Sequence, residues 1–262
     1  MTTNDTLFSA KQALRQHMRE RLKAMSLTQA ASASERLVRW LMNEEAVELA
    51  EPSPSPQPSP SGRGGLSSGQ QSPSTQRETL SLGQQASIHE QAISLSPGER
   101  AGVRGQPSLS HKTLLTPGSV IALFGGIVGE PDLLPLIPWL VERGCTPVFF
   151  GFFHDRLVPK AVRSADDLER GVFGVWMPRE DSPMVELGAL DVILTPGLAF
   201  DVAGRRLGRG RGYYDRFFAD PRVRARRVAL GFDLQLVDTV PVEPHDALMH
   251  AVITETGAKI EI

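Results

Sequence analysis

The sequence predicts an α/β fold: a three-layer single domain with a mostly parallel central sheet flanked by helices, plus a long disordered insertion. Three observations support this prediction. Two amphipathic helical stretches open the chain of 262 residues. A window without aromatic residues follows them. From residue 119 onward, short apolar runs alternate with helical stretches, which is typical of parallel strands with helices on both faces of the sheet.

Both opening stretches have a helical signal. Apolar residues recur at spacings of 4, 4 and 3 from Leu14, which predicts a helix over residues 9–26. Ser26 and Gln29 form a capping-box pattern that predicts the start of a second helix, ending near residue 49. These elements make residues 1–50 the helical part of the domain.

The middle of the chain lacks the composition of a packed core. Residues 51–110 contain 14 Ser, 8 Pro, 8 Gly and 8 Gln, with proline at every second position from 52 to 60. Such a segment buries too little apolar surface to offset its conformational entropy. We therefore predict a disordered insertion over residues 51–115, with residues 116–262 completing the same domain. A polyproline ligand for a partner is the alternative for the proline row.

The remaining chain reads as alternating strands and helices. Ligands of such sheets bind at the carboxyl ends of the strands. Predicted strands are 120–124, 147–153, 172–176, 191–195, 227–232 and 251–254, with helices at 132–143 and from Tyr213 to Phe218.

Composition excludes several classes of protein. The single Cys145 excludes an intrachain disulfide framework and a cysteine-based zinc site. The first residues lack a basic and apolar secretion signal, and the best apolar run, 120–128, is too short to span a membrane. We therefore expect a cytoplasmic protein without a membrane partner. The net charge of −2 argues against general coating of nucleic acid.

The chemically informative segment is 201–216. Gly208, Gly210 and Gly212 alternate with Arg209 and Arg211, and a helix follows. Alternating glycines leave main-chain N–H groups free to converge on an anion, and arginine guanidinium groups suit phosphate or carboxylate. The spacing matches neither the Walker A loop nor the dinucleotide-binding loop. The pattern therefore favours a polyphosphate site of another kind, and Asp215 could hold magnesium there.

Two other interpretations of this segment stay open. The first is a solvated Gly/Arg loop without a ligand. The second is an RNA-binding module, because nine arginines fall between residues 205 and 227, and Tyr213 and Tyr214 could stack on bases.

Residues 194–216, LTPGLAFDVAGRRLGRGRGYYDR, closely resemble the motif of the 5-formyltetrahydrofolate cyclo-ligases, also called 5,10-methenyltetrahydrofolate synthetases. The resemblance extends to segments 11–15, 120–132, 171–178 and 240–246. It implies an enzyme that uses MgATP to convert 5-formyltetrahydrofolate to 5,10-methenyltetrahydrofolate, releasing ADP and phosphate through a phosphorylated formyl intermediate. A non-catalytic nucleotide- or folate-binding regulator on the same fold is the alternative.

The resemblance also implies roles for individual residues. Arg209 and Tyr214 would be catalytic, and Asp215 and Asp246 would bind magnesium. The folate would contact Gly125, Glu130, Trp176, Arg209 and Tyr214. The ATP-binding residues would be Lys11, Arg15, Arg206, Leu207, Gly208, Arg209, Gly210, Arg211, Gly212, Tyr213 and Tyr214. Phe152 is a further candidate wall of the folate pocket. We expect small-molecule substrates, no nucleic acid and a monomer.

Overall fold

The computed structural model describes residues 3–42, 114–171 and 174–261. Four helices form in these ranges: α1 Thr3–Ala24, α2 Leu27–Met42, α3 Leu136–Glu142 and α4 Tyr213–Phe218. The described strands are β1 Val120–Ala122, β2 Thr146–Phe153, β3 Arg156–Ala161, β4 Leu168–Arg170, β5 Trp176–Pro178, β6 Val192–Thr195, β7 Ala199–Phe200, β8 Arg206–Leu207, β9 Arg226–Leu230, β10 Ala251–Thr254 and β11 Gly257–Glu261.

A seven-stranded sheet of order β11-β10-β9-β6-β1-β2-β3 organises the described residues. The five inner strands pair in parallel, whereas β3 and β11 pair antiparallel at the two edges. The predicted mostly parallel sheet is confirmed. The carboxyl ends of β1, β6 and β9 therefore meet at one edge, where their connecting loops can share a ligand.

Both faces of the sheet are covered, so the predicted three layers are confirmed. Alternate residues of a strand point to opposite faces, and here both sets are buried. Ile121 of β1 packs in a cluster with residues of α2 and α3, while Ala122 packs in a cluster with Phe217 and Phe218 of α4. Burial on both faces explains why these strands are continuously apolar rather than alternating.

Helix α1 covers the loops at the carboxyl edge. Met18 and Leu22, both from the predicted apolar stripe, pack against Leu207, Phe232 and Val240. The apolar stripe is therefore confirmed. The basic face of the same helix contacts the loop that follows β8.

The predicted capping box is confirmed. The Ser26 hydroxyl accepts a hydrogen bond from the Gln29 main-chain N–H, and the Gln29 side chain accepts one from the Ser26 N–H. Helix α2 is described only to Met42, so its predicted continuation to residue 49 lies outside the described residues.

Most of the predicted insertion also lies outside the described residues. The exception corrects its boundary: Leu114 and Leu115 fall inside the predicted range 51–115, yet both are buried in the core. Two leucines contribute apolar surface that the preceding Ser/Gln/Gly stretch lacks.

Three predicted elements differ from the structure. The helix predicted over 132–143 begins only at Leu136, because a turn that includes Pro135 precedes it. The strand predicted over 172–176 is wrong as a member of the main sheet, since β5 pairs with β4 in a separate two-stranded sheet. The edge strands β3 and β11 were not predicted, because each follows its neighbour through a short turn rather than a helix. No described helix is both long and apolar enough to cross a bilayer.

Candidate active site

The candidate site lies where the carboxyl ends of β1 and β6 meet. The segment Gly125–Glu130 follows β1. After β6, the chain forms the β7–β8 hairpin and then the glycine-arginine loop, which we define as residues 208–212. Helix α4 begins directly after this loop. The fold thus brings the two most informative segments of the sequence to one place.

Arg209 forms an ion pair with Glu130. Its Nε lies 2.8 Å from Oε1 of Glu130, whose other carboxylate oxygen accepts a hydrogen bond from the main-chain N–H of Ile127 at 3.3 Å. Burial raises the pKa of the Glu130 carboxyl, and the charge and hydrogen bond of Arg209 act against that rise. The buried Nη2 of Arg209 has no hydrogen-bond partner among the described residues. A donor of this kind is available to a ligand.

Arg206 forms a second buried ion pair, with Asp215. Its Nη2 lies 2.8 Å from Oδ1 of Asp215, and its Nη1 donates to the Pro196 carbonyl at 3.3 Å. The guanidinium carbon lies 5.5 Å from the centre of the Tyr214 ring. Burial, and then the negative charge of Glu130, raises the pKa of Tyr214. The Tyr214 hydroxyl is therefore a proton-bearing donor at neutral pH.

Lys11, Arg15 and Arg19 form a basic row on α1, and two of these residues contact the same loop. Nε of Arg15 donates to the Gly208 carbonyl at 3.1 Å, and Nη2 of Arg19 donates to the Arg209 carbonyl at 3.2 Å. These two contacts hold the glycine-arginine loop against α1.

Lys11 lies at the other end of that row and is buried. Its Nζ lies 2.5 Å from carboxylate oxygens of both Glu243 and Asp246. Burial and the charge of Arg19 lower the pKa of Arg15. The carboxylates of Asp246, Glu243 and Asp215 act against this fall. Both predicted magnesium ligands are therefore close enough to Arg15 to act on its charge.

Glycine is required at specific positions here. Gly210 and Gly212 have φ of 107° and 64°, in the left-handed region that other residues rarely adopt. At Gly125 a Cβ would lie 1.8 Å from the Trp176 carbonyl oxygen, so a side chain would push β5 away. These glycines fix the loop shape and one wall of the site.

A cavity of about 390 Å³ lies between β1 and the glycine-arginine loop, and the predicted site residues Lys11, Arg15, Gly210 and Asp246 are not part of its lining. Its lining contains most of the predicted folate and phosphate residues: Gly125, Glu130, Arg206, Gly208, Arg209, Arg211, Gly212, Tyr213, Tyr214 and Asp215. Phe152 also lines it, as predicted. The other lining residues were not predicted: Phe124, Gly126, Ile127, Phe150, Leu157, Val175, Pro196 and Gly197.

Two further predicted site residues are also absent from the lining and pack elsewhere. Trp176 is not part of the cavity lining; its ring lies under the Arg170 guanidinium at 3.9 Å and packs against the core, while its neighbour Val175 lines the cavity. Leu207 is buried with Met18 and Phe232 beneath α1, so its side chain points away from the cavity. In both cases an adjacent residue, Val175 or Arg206, lines the cavity instead.

One further site residue, Glu243, lies in the resembling segment 240–246 but was not predicted to have a role. Glu243 shares the Lys11 ammonium with Asp246, and Glu243, His245 and Asp246 place one potential ligand atom each within 4.8 Å of one another. Carboxylate oxygens suit hard cations, and Asp246 and Glu243 supply two of them side by side.

The fold and site define an α/β protein with a glycine-arginine loop beside a cavity at the carboxyl ends of the strands. A model of the 5-formyltetrahydrofolate cyclo-ligase family matches residues 112–255, and the chain therefore belongs to that family.

Characterised relatives and solved structures agree with this assignment. The 5-formyltetrahydrofolate cyclo-ligase of Mycolicibacterium smegmatis is 32% identical over 60% of this chain and 82% of its own length. The enzyme of that name from Escherichia coli is 31% identical over 64% and 96%, respectively. The NMR structure of Aquifex aeolicus 5,10-methenyltetrahydrofolate synthetase has a TM-score of 0.58 at 20% identity, covering 95% of this chain and 91% of that one. This last likeness supports the fold alone.

Proposed function

We propose that this protein converts 5-formyltetrahydrofolate to 5,10-methenyltetrahydrofolate with hydrolysis of ATP to ADP and phosphate. The observation that carries the proposal is the Glu130–Arg209 ion pair, because it joins the ring-sized cavity to the glycine-arginine loop. A folate group held by Glu130 and a phosphate held by the loop would be adjacent across this pair.

The cavity suits the pterin ring of the folate. Phe150, Phe152 and Tyr213 supply aromatic and apolar walls, with ring centres of Phe152 and Tyr213 4.9 Å apart. The Glu130 carboxylate accepts hydrogen bonds from the ring N–H and amino groups, which is a charge-assisted contact. Glu130 thereby orients the ring so that the formyl group faces Arg209.

The glycine-arginine loop suits the phosphates of ATP. Its main-chain N–H groups, the Arg15 guanidinium and the Lys11 ammonium supply donors and positive charge from two sides. Phosphoryl transfer requires such donors and positive charges, since the enzyme mainly positions the reacting groups and stabilises developing charge.

The reaction then needs two bond exchanges. The formyl oxygen attacks the γ-phosphorus, and the bond to the ADP oxygen breaks. N10 of the folate attacks the activated formyl carbon and gives up its proton to the departing phosphate, which takes with it the former formyl oxygen. The unpartnered Nη2 of Arg209 and the protonated Tyr214 hydroxyl are the donors placed to stabilise charge on the transferring oxygens.

Asp215 and Asp246 fit a magnesium site, since both are carboxylates beside the phosphate donors, and each is balanced by a cation, Arg206 or Lys11. Magnesium would neutralise phosphate charge there. Replacing Asp215→Asn should raise the magnesium concentration needed for half-maximal turnover by about tenfold, equal to about 1.4 kcal/mol. Isothermal titration of magnesium into the nucleotide complex checks the same change without turnover; equal affinities in the variant and the wild type would contradict this role.

The direct test is an absorbance assay. Protein, 5-formyltetrahydrofolate and MgATP should give a rise in near-ultraviolet absorbance from the methenyl product, and omission of ATP should abolish it. A folded protein that binds ATP without any such rise would instead be the non-catalytic regulator. We expect a monomer in light scattering under these conditions.

A further inference from the structure

Asp201, between β7 and β8, is a fully buried carboxylate. Its Oδ1 accepts hydrogen bonds from the main-chain N–H groups of Ala203 at 2.9 Å and Arg205 at 3.1 Å. Its Oδ2 accepts from Nε of Arg205 at 2.6 Å and from the main-chain N–H of Val240 at 2.7 Å. Each carboxylate oxygen thus has two donors, and these partners compensate for the loss of water around a buried charge.

Arg205 pairs with this carboxylate rather than lining the cavity. It opens the arginine-rich stretch 205–227, yet it is not part of the cavity lining, whereas the adjacent Arg206 is. Its guanidinium balances the charge of Asp201, and its side chain is 29% exposed. The first arginine of the stretch therefore stabilises the β7–β8 hairpin, and the second one faces the site.

The hydrogen bond to Val240 joins two segments that carry predicted site residues. β8 leads directly into the glycine-arginine loop, and Val240 lies three residues before Glu243. The Glu243 main-chain N–H donates to Asp246 at 2.6 Å, so residues 243–246 form one turn. Two main-chain hydrogen bonds join the same segments: the Val237 N–H to the Phe200 carbonyl at 2.9 Å, and the Met249 N–H to the Gly204 carbonyl at 2.8 Å. The Asp201 contact is made by a side chain, so a substitution can remove it and leave the main-chain contacts in place.

Helix α1 contacts both segments as well. Arg15 donates to a carbonyl of the glycine-arginine loop, and Lys11 pairs with both carboxylates of the 243–246 turn. Leu207 and Val240 pack in one apolar cluster with residues of α1. The loop and the turn are therefore held at one spacing by α1 and by the Asp201 contact together.

We propose that Asp201 is a positioning residue for nucleotide binding. It holds the glycine-arginine loop and the 243–246 turn at the spacing at which both reach one chain of phosphates. The proposal rests on the proposed function, which places the ATP phosphates at the loop and magnesium beside Asp246. Asp201 is fully buried and is not part of the cavity lining, so it acts through the two segments rather than on a reacting atom. A site already held in its binding geometry loses less free energy to ordering when the ligand binds.

The main test is Asp201→Asn, with the magnesium complex of a non-hydrolysable ATP analogue titrated into the protein in a calorimeter. An amide offers one acceptor oxygen instead of two, so donors of Arg205 and Val240 lose their acceptor and the two segments separate. The Kd should rise about tenfold, equal to about 1.4 kcal/mol. Charge alone predicts the reverse, because the substitution removes a negative charge near an anionic ligand. Unchanged or tighter binding would overturn the proposal.

Arg205 variants test the same contact from its other side. Arg205→Gln removes the side-chain donor but leaves both main-chain donors of Asp201, so the Kd should rise only about threefold. Arg205→Lys keeps the ion pair and should stay within twofold of the wild type. The double variant Asp201→Asn/Arg205→Gln should bind no more weakly than Asp201→Asn alone, since both changes remove one contact. Additive losses would assign Arg205 to the nucleotide itself and contradict the proposal. If Asp201→Asn does not fold, unchanged binding by Arg205→Gln overturns the proposal instead.

The matched control is Asp191→Asn. Oδ2 of Asp191 accepts a hydrogen bond from the Val120 main-chain N–H at 2.9 Å, at the amino ends of β6 and β1. This variant should have a lower urea midpoint but the wild-type Kd for the nucleotide. Equal losses of affinity in Asp191→Asn and Asp201→Asn would show a general folding effect and overturn the proposal.

Steady-state kinetics separate positioning from general damage to the site. Asp201→Asn should raise the KM for ATP, whereas the KM for 5-formyltetrahydrofolate should change less than twofold, because Glu130 is held by the segment after β1. Equal rises in both KM values would contradict the proposal. The titration needs no turnover, so a tenfold loss of affinity in a protein that does not turn over supports the role of Asp201 while the proposed function fails. Turnover with equal affinities in the variant and the wild type supports the function and overturns the role.

Discussion

The two halves of the arginine-rich stretch 205–227 have similar composition but different surroundings. In the first half, Arg206 and Arg209 are paired with Asp215 and Glu130 inside the cavity. In the second half, Arg222 pairs with Asp220 on the surface, with more than half of its side chain exposed. Helix α4 separates the halves and returns the chain to the start of β9.

This return places the two halves at opposite ends of the parallel strands. The first half follows the carboxyl end of β6, whereas Arg226 and Arg227 pair with the beginning of β6. Nine arginines therefore do not form one basic surface, which weighs against the RNA-binding interpretation. Topology, rather than arginine content, decides which cations serve the site.

The largest expected effect comes from Arg209. Arg209→Ala should lower kcat by about 10²–10³, because it removes donors aimed at charge that develops during the reaction. Arg209→Lys should not restore the rate, since a lysine lacks the planar set of donors that pairs with Glu130 and still leaves one free. Steady-state kinetics with saturating ATP measures both, and a loss of less than tenfold would remove Arg209 from the catalytic groups.

A smaller effect is expected from the loop glycines. Gly210→Ala should cost about 1–3 kcal/mol of stability because of its positive φ, and should raise the KM for ATP about tenfold by shifting the loop held by Arg15. Gly144→Ala, with φ of 71° and open space around it, is the matched control after α3. It should lose stability but keep its KM. A similar KM rise in both variants would show a general folding effect.

The contact between Arg227, in the second half, and His250 should affect stability rather than turnover. Nδ1 of His250 accepts a hydrogen bond from the Arg227 N–H, and burial, then the charges of Arg227 and Arg226, lowers the pKa of His250. The folded state thus binds fewer protons, and the stability linked to neutral His250 is lost as the pH falls below about 6.5. His250→Asn should flatten this dependence between pH 7.5 and 5.5 in urea unfolding, with kcat unchanged. If the free energy of unfolding kept the same pH dependence in the variant, His250 would not be its source.

The smallest effect is expected at Arg222. Its hydrogen bonds run to Asp220, two residues away, and lower the pKa of that exposed carboxyl to about 2. Arg222→Ala should change neither the kinetics nor the urea midpoint measurably, because exposed ion pairs add little stability. A clear loss of turnover would show that the second half contributes to the site after all.

The sequence was sufficient for the elements and segments that have local signals. The apolar stripe of α1, the Ser26 cap and the glycine-arginine loop all have short-range patterns, and each was confirmed as an element or at its predicted place. The roles assigned to individual site residues stay predictions. The edge strands β3 and β11 could not be predicted, because antiparallel hairpin pairing interrupts the strand–helix alternation.

Contacts between distant segments were also beyond sequence reasoning. The approach of Glu243 to Lys11 depends on how α1 lies across the loops, and nothing near either residue encodes it. The resemblance implied a folate contact for Trp176, but Val175, the residue just before β5, lines the cavity instead. The alternation of side chains along a strand shows that adjacent residues face opposite sides of the sheet. It does not show which side faces the cavity.

The contact between Lys11 and Asp246 joins residues 235 positions apart in the chain. During synthesis on a ribosome, the helix that bears Lys11 emerges 235 residues before Asp246. This contact between distant segments therefore cannot form until both segments have been made. A nucleotide that bound beside it would stabilise only those chains in which both segments are present.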